Sequence, residues 1–293
     1  MIEIKNLDFF YKKNKPVLAD ISCEFNKGRI YGLLGKNGVG KTTLLHLVAG
    51  LQFPKSGEIT LRIPKQEEGD AASSEQILIP SERKRDFLKK ISFINEEMGE
   101  CSLRIDEFER YNSVFYPNFS HEQFVSYLRD FEVEDLKQKI NKLSLGTRKK
   151  IYICFALACN TEFIFMDEPT NGLDIPSKSA FRKMVLNAMT DEKTMIISTH
   201  QARDLQNILD NIIILDNTSV LMNASADDIC EKLWFGIEQN VSSNERILYQ
   251  EDTVAGLATV KENKNNGISN LDVELLFNAA FLNKTLFKEL FKN

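Results

Sequence analysis

Residues 32–45 read GLLGKNGVGKTTLL, and this stretch decides the fold. The pattern G-x-x-x-x-G-K-[S/T] is matched at Gly35, Gly40, Lys41 and Thr42. An apolar run typical of a strand precedes the match at residues 30–34, and an apolar-periodic segment typical of a helix follows it at residues 42–51. A glycine-rich turn between a strand and a helix is the context in which this pattern binds phosphate. The stretch therefore predicts a phosphate-binding loop.

The residue types in this loop suit a polyphosphate, which needs many positive partial charges at short range. Gly35, Gly38 and Gly40 keep side chains out of the way, and the last two let the backbone curl so that successive N–H groups point inward. The N-terminus of the following helix adds its dipole to the same anion. Lys41 is expected to reach the β- and γ-phosphates, and Thr42 to present a hydroxyl to Mg²⁺, which prefers oxygen ligands.

Length and composition predict a soluble globular protein with one large domain, or with a domain of about 200 residues and a smaller one. The chain has 293 residues, of which 43% are hydrophobic and 27% charged, and no apolar run approaches the roughly 20 residues that span a bilayer. The N-terminal residues lack the pattern of a signal peptide. A net charge of −5 gives no argument for nucleic acid, and we interpret the basic run at residues 82–90 as a solvated face. The five cysteines form no C-x-x-C pair, which favours a reducing cytoplasm.

Two segments that alternate apolar and polar residues, at 2–11 and 17–25, predict antiparallel strands at the start of the chain. Tyr11 ends the first strand, where its ring is placed either to stack on an adenine face or to join the core. Position alone leaves both interpretations open. The next segments predict a turn and strand at residues 54–63, a polar surface loop at residues 64–81 and a strand at residues 90–94.

Residues 103–143 have a helical pattern and predict an insert of three helical segments between strands, the third of them rich in lysine. Ser120, with Gln123 three residues later, predicts a capping box at the start of the second helix. A group of aromatic residues near a proline is expected to pack inside the insert, with docking of a partner protein as the alternative: Phe115, Tyr116 and Phe119.

Two carboxylates follow the next predicted strand. Residues 163–166 form a continuous apolar run, typical of a parallel strand covered on both faces, and Asp167 and Glu168 come directly after it. Acidic residues at the carboxyl end of a central strand lie where open α/β sheets bind ligands. Upstream of this strand, Ser144 and Gly146 open a long apolar helix whose N-terminus can face an anion.

Strands and helices alternate through the rest of the chain, with His200 just past a strand end. The predicted elements are a helix at residues 175–189, a strand at 194–198, a helix at 202–209 and a strand at 212–215. Beyond residue 223 we expect a small appendage. It comprises a short helix capped by Ser225 and Asp228 and running to Trp234, strands at 245–251 and 257–262, a turn at 263–267 and helical residues 272–291.

In this order the segments resemble the nucleotide-binding subunit of ATP-binding-cassette (ABC) transporters, over about residues 1–222. Five motifs carry the resemblance: the phosphate loop at residues 35–42, the signature at 143–147, the strand-end acids Asp167 and Glu168, the Asp-loop Gly172, Leu173 and Asp174, and the switch histidine His200. The resemblance implies an α/β fold of the P-loop NTPase class with a mostly parallel sheet. An N-terminal antiparallel β subdomain, a helical insert and a small C-terminal α+β appendage complete it.

The same resemblance implies a division of the chain and a set of site residues. The ATP-binding domain is expected at residues 1–222, with a helical subdomain at about 97–158, and an accessory region at 223–293. Tyr11 falls where the family stacks its adenine. The other implied nucleotide contacts are Gly35, Asn37, Gly38, Val39, Gly40, Lys41, Thr42 and Thr43, with Ser144, Gly146 and Asp174 at a subunit interface.

Two motifs depart from the family pattern. The signature, usually LSGGQ, reads LSLGT here, so that Leu145 replaces a glycine and Thr147 replaces the glutamine, while Ser144 and Gly146 are kept. Phosphate contacts through the serine hydroxyl and the backbone N–H groups survive these changes. The position of the family's glutamine loop is taken by Glu96, a carboxylate that still ligates Mg²⁺ but adds negative charge beside a polyphosphate.

The resemblance implies ATP hydrolysis with Mg²⁺ as cofactor. Phosphoryl transfer asks for charge neutralisation, an in-line water and a group that orients it. Lys41 and a Mg²⁺ held by Thr42, Asp167 and Glu96 are expected to neutralise charge. Glu168 is expected to act as general base, and His200 to bond the γ-phosphate.

The implied partners are a second ATP-binding subunit, in a homodimer or heterodimer, and a separate transmembrane permease, with no nucleic acid. Two subunits pack head to tail in this family, so each ATP lies between one chain's phosphate loop and the other chain's signature. The implied location is cytoplasmic, peripheral on the inner face of the membrane. Similarity of the FYPNF segment and the appendage to drug or peptide exporters favours export.

Two alternatives stay open from the sequence. An ABC-type ATPase with non-transport work is the first, although a chain of this length holds neither the long coiled coils of chromosome-maintenance members nor the two cassettes of ribosome-associated ones. A regulatory module that closes on ATP without turnover is the second, and it is favoured by Leu145, Thr147 and Glu96.

Overall fold

The structure is a computed structural model that describes residues 1–64, 75–239, 246–264, 267 and 269–291. The strands are β1 Ile2–Lys12, β2 Lys15–Phe25, β3 Arg29–Leu34, β4 Ser56–Pro64, β5 Glu75–Leu78, β6 Ile91–Ile94, β7 Phe163–Asp167, β8 Thr194–Thr199, β9 Asn211–Asp216, β10 Ser219–Ser225, β11 Leu233–Glu238, β12 Ile247–Thr253 and β13 Gly256–Glu262. The helices are α1 Lys41–Val48, α2 Arg85–Leu88, α3 Ile105–Ser113, α4 His121–Asp130, α5 Leu145–Ala158, α6 Ile175–Ala188, α7 Ala226–Lys232, α8 Val273–Leu282 and α9 Lys284–Leu290.

The central element is a six-stranded sheet with the order β10-β9-β3-β8-β7-β6. Its strands pair in parallel except for β10, which runs antiparallel to β9. The residues of β7 and β8 are all buried, as expected for strands covered on both faces. This sheet confirms the predicted α/β class with a mostly parallel sheet.

Successive residues of the central strands face two different cores, because side chains alternate across a sheet. Phe163 and Phe165 point into one core with α1 and the antiparallel sheet β2-β1-β4-β5, which forms the predicted N-terminal β subdomain. Ile164 and Met166 point into the other core, which helices α3 to α9 cover, whereas α2 adds Phe87 to the first core. Helix α1 therefore lies between the two sheets and holds the phosphate loop at their junction.

The helical insert is smaller than the sequence predicts. Helices α3 and α4 are present, but the lysine-rich third segment forms only a single 3₁₀ turn at Ile140–Lys142, so the expected third helix is wrong. Ser120 caps α4, since its Oγ accepts from the N–H of Gln123 at 3.2 Å. The capping box is incomplete, because the backbone N–H of Ser120 donates to the carbonyl of Ala158 instead.

The aromatic group of the insert is divided. Tyr116 and Phe119 pack against Phe155 of α5, with ring centroids 5.9 and 5.2 Å apart, which confirms internal packing for these two residues. Phe115 is 68% exposed, so the expectation that it packs inside is wrong. It lies next to exposed Val114 on the outer surface of the insert.

Several other local predictions differ from the structure. Residues 202–209 form two 3₁₀ turns, Ala202–Asp204 and Gln206–Ile208, instead of a helix, and Trp234 lies in β11 instead of ending α7. Strands β5, β10 and β11 were not predicted. Most of the predicted surface loop at 64–81 lies outside the described residues, but Glu75–Leu78 pairs with β4 as β5. The predicted turn at 263–267 also lies partly outside them.

The C-terminal appendage consists of α7, the three-stranded sheet β11-β13-β12, α8 and α9. Its buried residues, among them Val260, Leu276 and Phe287, belong to the same hydrophobic core as the inner helices of the central sheet. Strand β10 continues across residue 222, where the sequence places the start of the accessory region, and ends at Ser225. The appendage thus shares one hydrophobic core with the central sheet and its inner helices.

Helix α8 of the appendage also touches the phosphate loop. The Nζ of Lys36 lies 4.8 Å from the centroid of the Phe281 ring, a cation–π contact. Glu274 of α8 forms an ion pair with Arg203, in the turn that follows His200. Within the part of the chain that the structure describes, no helix is both long and apolar enough to cross a membrane.

Candidate functional site

The predicted site residues meet where three strands of the central sheet end. Strand β3 pairs with β8 so that Leu34 lies opposite Thr199, and β7 pairs with β8 so that Asp167 lies opposite Ser198. The carboxyl ends of these parallel strands therefore share one edge. The phosphate loop, the two strand-end acids and the switch histidine all follow directly from this edge.

The phosphate loop owes its shape to its glycines. Gly38 and Gly40 have φ angles of 77° and 107°, in the left-handed region that favours glycine, and Gly40 is the N-cap of α1. A Cβ on Gly35 would lie 2.6 Å from Cγ1 of Val39, so this position has no room for a side chain. The glycines therefore keep side chains away from the start of α1, where an anion would bind, while the N–H of Val39 donates to the carbonyl of Lys36 at 3.3 Å.

Lys41 lies folded across the loop. Its Nζ donates to the carbonyl oxygens of Gly35 at 2.9 Å and Lys36 at 3.4 Å, and it lies 3.9 Å from Oε1 of Glu168. Burial lowers the pKa of Lys41, while the negative charges of Glu168 and Asp167 act in the opposite direction. A polyphosphate in the loop would offer this ammonium group stronger acceptors than the carbonyls it now contacts.

A hydroxyl and a carboxylate stand side by side next to Lys41. Thr42 Oγ1 donates to Oδ2 of Asp167 at 2.7 Å, and Ser198 Oγ donates to Oδ1 of the same carboxylate. Such oxygens are the ligands that Mg²⁺ prefers. Among the described residues there is no group of three or more His, Cys, Asp and Glu side chains that could hold a metal ion. Sequence reasoning missed Ser198, although it stands two residues before His200.

Glu168 and His200 form a close pair. Nδ1 of His200 lies 2.9 Å from Oε1 of Glu168, and the backbone N–H of His200 donates to Oε2 at 3.3 Å. Glu168 is buried and has a φ of 46°, which is unusual for a residue with a side chain. A carboxylate buried beside Lys41 and His200 at the strand ends is placed to accept a proton from a water at a bound phosphate.

A cleft of about 470 Å³ opens over these residues. Its lining includes ten of the predicted site residues: Tyr11, Asn37, Gly38, Gly40, Lys41, Thr42, Thr43, Glu96, Glu168 and His200. The side chain of Glu96 accepts from Nδ2 of Asn171 at 3.1 Å. The structure thus brings most of the predicted residues together around one space.

Tyr11 stands at the rim of the cleft and is 60% exposed. Its ring packs edge-on against Phe9, with centroids 4.9 Å apart, and its hydroxyl lies 3.2 Å from Oγ1 of Thr43. With these contacts made, more than half of the Tyr11 side chain is still exposed. The ring is therefore available for stacking on a planar ligand group.

The remaining predicted contacts lie outside this cleft. Ser144 caps α5, with its Oγ accepting from the N–H of Thr147 at 3.1 Å, and Asp174 caps α6 by accepting from the N–H of Ser177 at 2.8 Å. Hydrogen bonds from the side chain of Ser177, and then from its backbone N–H, lower the pKa of Asp174. Gly146 faces the carbonyl of Gly172, which a Cβ at Gly146 would approach to 2.8 Å. The signature and the Asp-loop therefore pack on each other, apart from the chain's own phosphate loop.

Lys149 of α5 is a further residue of the site that sequence reasoning missed. Its Nζ donates to the carbonyl oxygen of Glu168 at 2.9 Å. A lysine in an apolar helix gives no sequence signal of such a contact, because the acceptor is a main-chain atom 19 residues away.

The chain is similar in sequence to known proteins. The model of the family described as ABC transporter matches residues 18–171. An ABC transporter ATP-binding protein of Methanocaldococcus jannaschii is 30% identical over 235 residues, which are 79% of this chain and 80% of that protein. The ABC transporter ATP-binding protein NatA of Bacillus subtilis is 28% identical over 228 residues, with 76% and 88% covered.

Solved structures confirm the fold. An ATP-binding subunit of an ABC transporter superposes with a TM-score of 0.66 at 23% identity, covering 78% of this chain and 91% of that one. A dimeric ATP-binding cassette in a post-hydrolysis state, bound to ADP and phosphate, superposes with a TM-score of 0.64 at 24% identity and covers 77% and 98%.

Proposed function

Because the chain belongs to the family of ABC transporter ATP-binding domains, we propose that it binds and hydrolyses ATP to drive a separate membrane permease. The observation that carries the proposal is the meeting of Lys41, Thr42, Glu168 and His200 at one cleft, with Asp167 behind them as the hydrogen-bond acceptor of Thr42. These residues supply what phosphoryl transfer requires, namely charge neutralisation and a group that orients water.

Each residue has a defined part in the proposed reaction. Lys41 binds the β- and γ-phosphates, and His200 donates to the γ-phosphate. Glu168 accepts a proton from water as the water oxygen bonds to the γ-phosphorus and the bond to the β-γ bridging oxygen breaks, which leaves ADP and phosphate. Mg²⁺ held by Thr42 and Asp167, with Glu96 nearby, would neutralise charge on the phosphates.

The site is incomplete within one chain. Ser144, Gly146 and Asp174 lie outside the cleft, on a surface that also carries exposed Leu145 and Ile175. We propose that two subunits associate head to tail, so that this surface closes the partner's cleft over ATP. The structural relative that is dimeric and bound to ADP and phosphate supports this arrangement.

The helical insert supplies a candidate surface for the permease. Tyr111, Val114 and Phe115 are exposed apolar residues on this insert. Beside them, a groove of about 340 Å³ runs between the insert and the segment after β6, with Phe108, Tyr116 and Phe155 in its lining. Exposed apolar patches mark interaction sites, which supports a peripheral position on the inner face of the membrane through the permease. Export as the direction rests on family resemblance.

Phosphate release from MgATP by the purified protein tests the catalytic part. Wild type should show turnover, and Glu168→Gln should abolish it and trap an ATP-bound dimer in gel filtration. The matched control is Glu192→Gln, a surface carboxylate paired with Lys27, which should keep wild-type turnover. Unchanged turnover in Glu168→Gln would refute the general-base assignment.

A module that closes on ATP without turnover is the second candidate function. It is favoured by Thr147, which stands where the family has a glutamine. The Oγ1 of Thr147 lies 2.8 Å from Oγ of Ser144. Binding of ATP with dimer formation but no phosphate release would establish it. Purification of the protein from membranes distinguishes a role in transport from a non-transport role. A co-purified protein with several transmembrane helices would support the permease. Co-purified ribosomes or DNA would contradict a role in transport.

A further inference from the structure

Lys149 is a buried cation that the proposed reaction does not use. It lies five residues after Ser144, in the helix that the signature opens, and is 2% exposed. Its Nζ donates to the main-chain carbonyl of Glu168 at 2.9 Å. Burial lowers the pKa of Lys149, and the negative charges of Glu96, Glu168 and Asp167 oppose this effect. Burying an ammonium group is costly, so the contact calls for a reason beyond packing.

Glu168 has a backbone that needs support. Its φ of 46° lies in the left-handed region, which costs about 1–3 kcal/mol for a residue with a side chain. The surrounding contacts hold both sides of the residue. Its N–H donates to the carbonyl of Ser198 at 3.1 Å, and its C=O accepts from Nζ of Lys149 at 2.9 Å and from the N–H of Asn171 at 3.3 Å. The bond from Lys149 is the shorter of the two at the carbonyl and its donor is charged, so its loss would weaken the hold on this backbone and shift the carboxylate relative to His200.

We infer that Lys149 is a positioning residue for the general base, which it holds in place by binding the carbonyl oxygen of Glu168 from the signature helix. The inference rests on the proposed hydrolysis. Lys149 does not line the cleft, and its Nζ bonds to the main chain of Glu168 behind it. It therefore acts on the rate of the chemical step through Glu168 and not on ATP binding.

Lys193 provides a matched control. It is also a buried lysine, and its Nζ donates to the carbonyl of Ala188 at 2.8 Å and to Oδ1 of Asn160 at 2.9 Å. It precedes β8, whereas His200 follows this strand, so about 20 Å of extended chain separates the two. Lys193→Met thus removes a comparable buried contact without touching the site.

The test measures ATP turnover and ATP binding in the full chain. Lys149→Met should lower kcat about tenfold or more and change KM less than about twofold, because a charge-assisted hydrogen bond to the base is lost. Lys149→Arg, which keeps charge and donors, should recover part of the rate. Lys193→Met should keep wild-type kcat per folded molecule.

A second measurement isolates the role of Lys149 from general damage. In the Glu168→Gln background, addition of Lys149→Met should leave ATP affinity within about twofold, as followed by titration calorimetry. The side chain of Lys149→Gln is too short to reach the carbonyl, so this variant should lose as much of kcat as Lys149→Met. It is used in place of Lys149→Met if that variant does not fold.

The outcomes separate this inference from the proposed function. Wild-type turnover together with an unaffected Lys149→Met variant would overturn the inference alone. So would an equal loss of kcat in Lys193→Met, or a raised KM at constant kcat. A wild-type protein without turnover would overturn the proposed hydrolysis, and the positioning role with it.

Discussion

Replacement of Tyr11 by alanine tests whether this ring binds the adenine. The side chain is 60% exposed; its ring is nearly perpendicular to that of Phe9, and its hydroxyl lies 3.2 Å from Oγ1 of Thr43. Loss of these contacts should cost about 1 kcal/mol of folding free energy, because an aromatic pair at the surface contributes little more. The variant should therefore stay folded, so that a loss of ATP affinity reports on contacts between the Tyr11 ring and the ligand.

The magnitude follows from the stacking that the exposed face offers. Base–aromatic stacking is worth about 1–3 kcal/mol by alanine substitution. Tyr11→Ala should therefore raise the Kd for ATP about 5- to 150-fold. Tyr11→Phe removes only the hydroxyl near Thr43 and keeps the ring, so its Kd should stay within about threefold of wild type.

The assay is calorimetric titration with MgATP in the Glu168→Gln background, where turnover does not interfere. Inorganic triphosphate is the second probe, since it fills the phosphate loop but has no base to stack. Tyr11→Ala should leave the affinity of the protein for inorganic triphosphate unchanged. Tyr111→Ala, on the remote helical insert, controls for loss of an exposed tyrosine. ATP binding by Tyr11→Ala within twofold of wild type would refute the stacking role.

Three further predictions concern stability and are measured by urea unfolding. Gly40→Ala should destabilise the fold by about 1–3 kcal/mol, because the φ of Gly40 is 107° and a Cβ would lie 2.9 Å from Cδ2 of Leu18. In the control Gly99→Ala, the new Cβ meets no described atom within 4 Å, so the free energy of unfolding should change by less than about 0.5 kcal/mol. Phe287→Ala should cost about 3–5 kcal/mol in one transition of the whole chain, since its ring is buried in the shared core, and separate unfolding of the appendage would contradict this. Burial raises the pKa of Cys23 from 9.0 to about 12, so the stability that its neutral thiol contributes is complete below pH 9 and is lost as the pH rises towards 12. Under reducing conditions Cys23→Ala should remove about 2 kcal/mol of the decline between pH 8 and 10.5, and an equal decline in both proteins would refute it.

Most of the central sheet was predictable because its strands are long apolar runs bounded by recognisable turns. The missed elements have physical reasons. Strand β10 follows a hairpin turn at Asn217 and Thr218, both with positive φ angles but without the glycine that usually marks such a turn. Residues 202–209 carry apolar residues at helical spacing, but consecutive 3₁₀ turns bury the same side chains. Strand β11 depends on pairing with β13, a contact between segments that local sequence does not encode.

The cleft was predictable to the extent that its motifs are local. The glycines of the phosphate loop and the two acids after β7 define their own surroundings, so spacing places them well. Ser198 and Lys149 were missed because their roles depend on contacts with Asp167 and with the backbone of Glu168, which only the folded chain creates. The exposure of Phe115 was missed for a similar reason. Phe155 of α5 packs against Tyr116 and Phe119, and the local sequence does not show which aromatic residues of the insert this ring meets.

The contact between Lys36 and Phe281 links the phosphate loop to the C-terminal appendage within one chain. Thermodynamic linkage makes such a connection reciprocal. A molecule that bound the appendage and shifted Phe281 would change the affinity of the loop for ATP by some factor, and ATP would change the affinity for that molecule by the same factor.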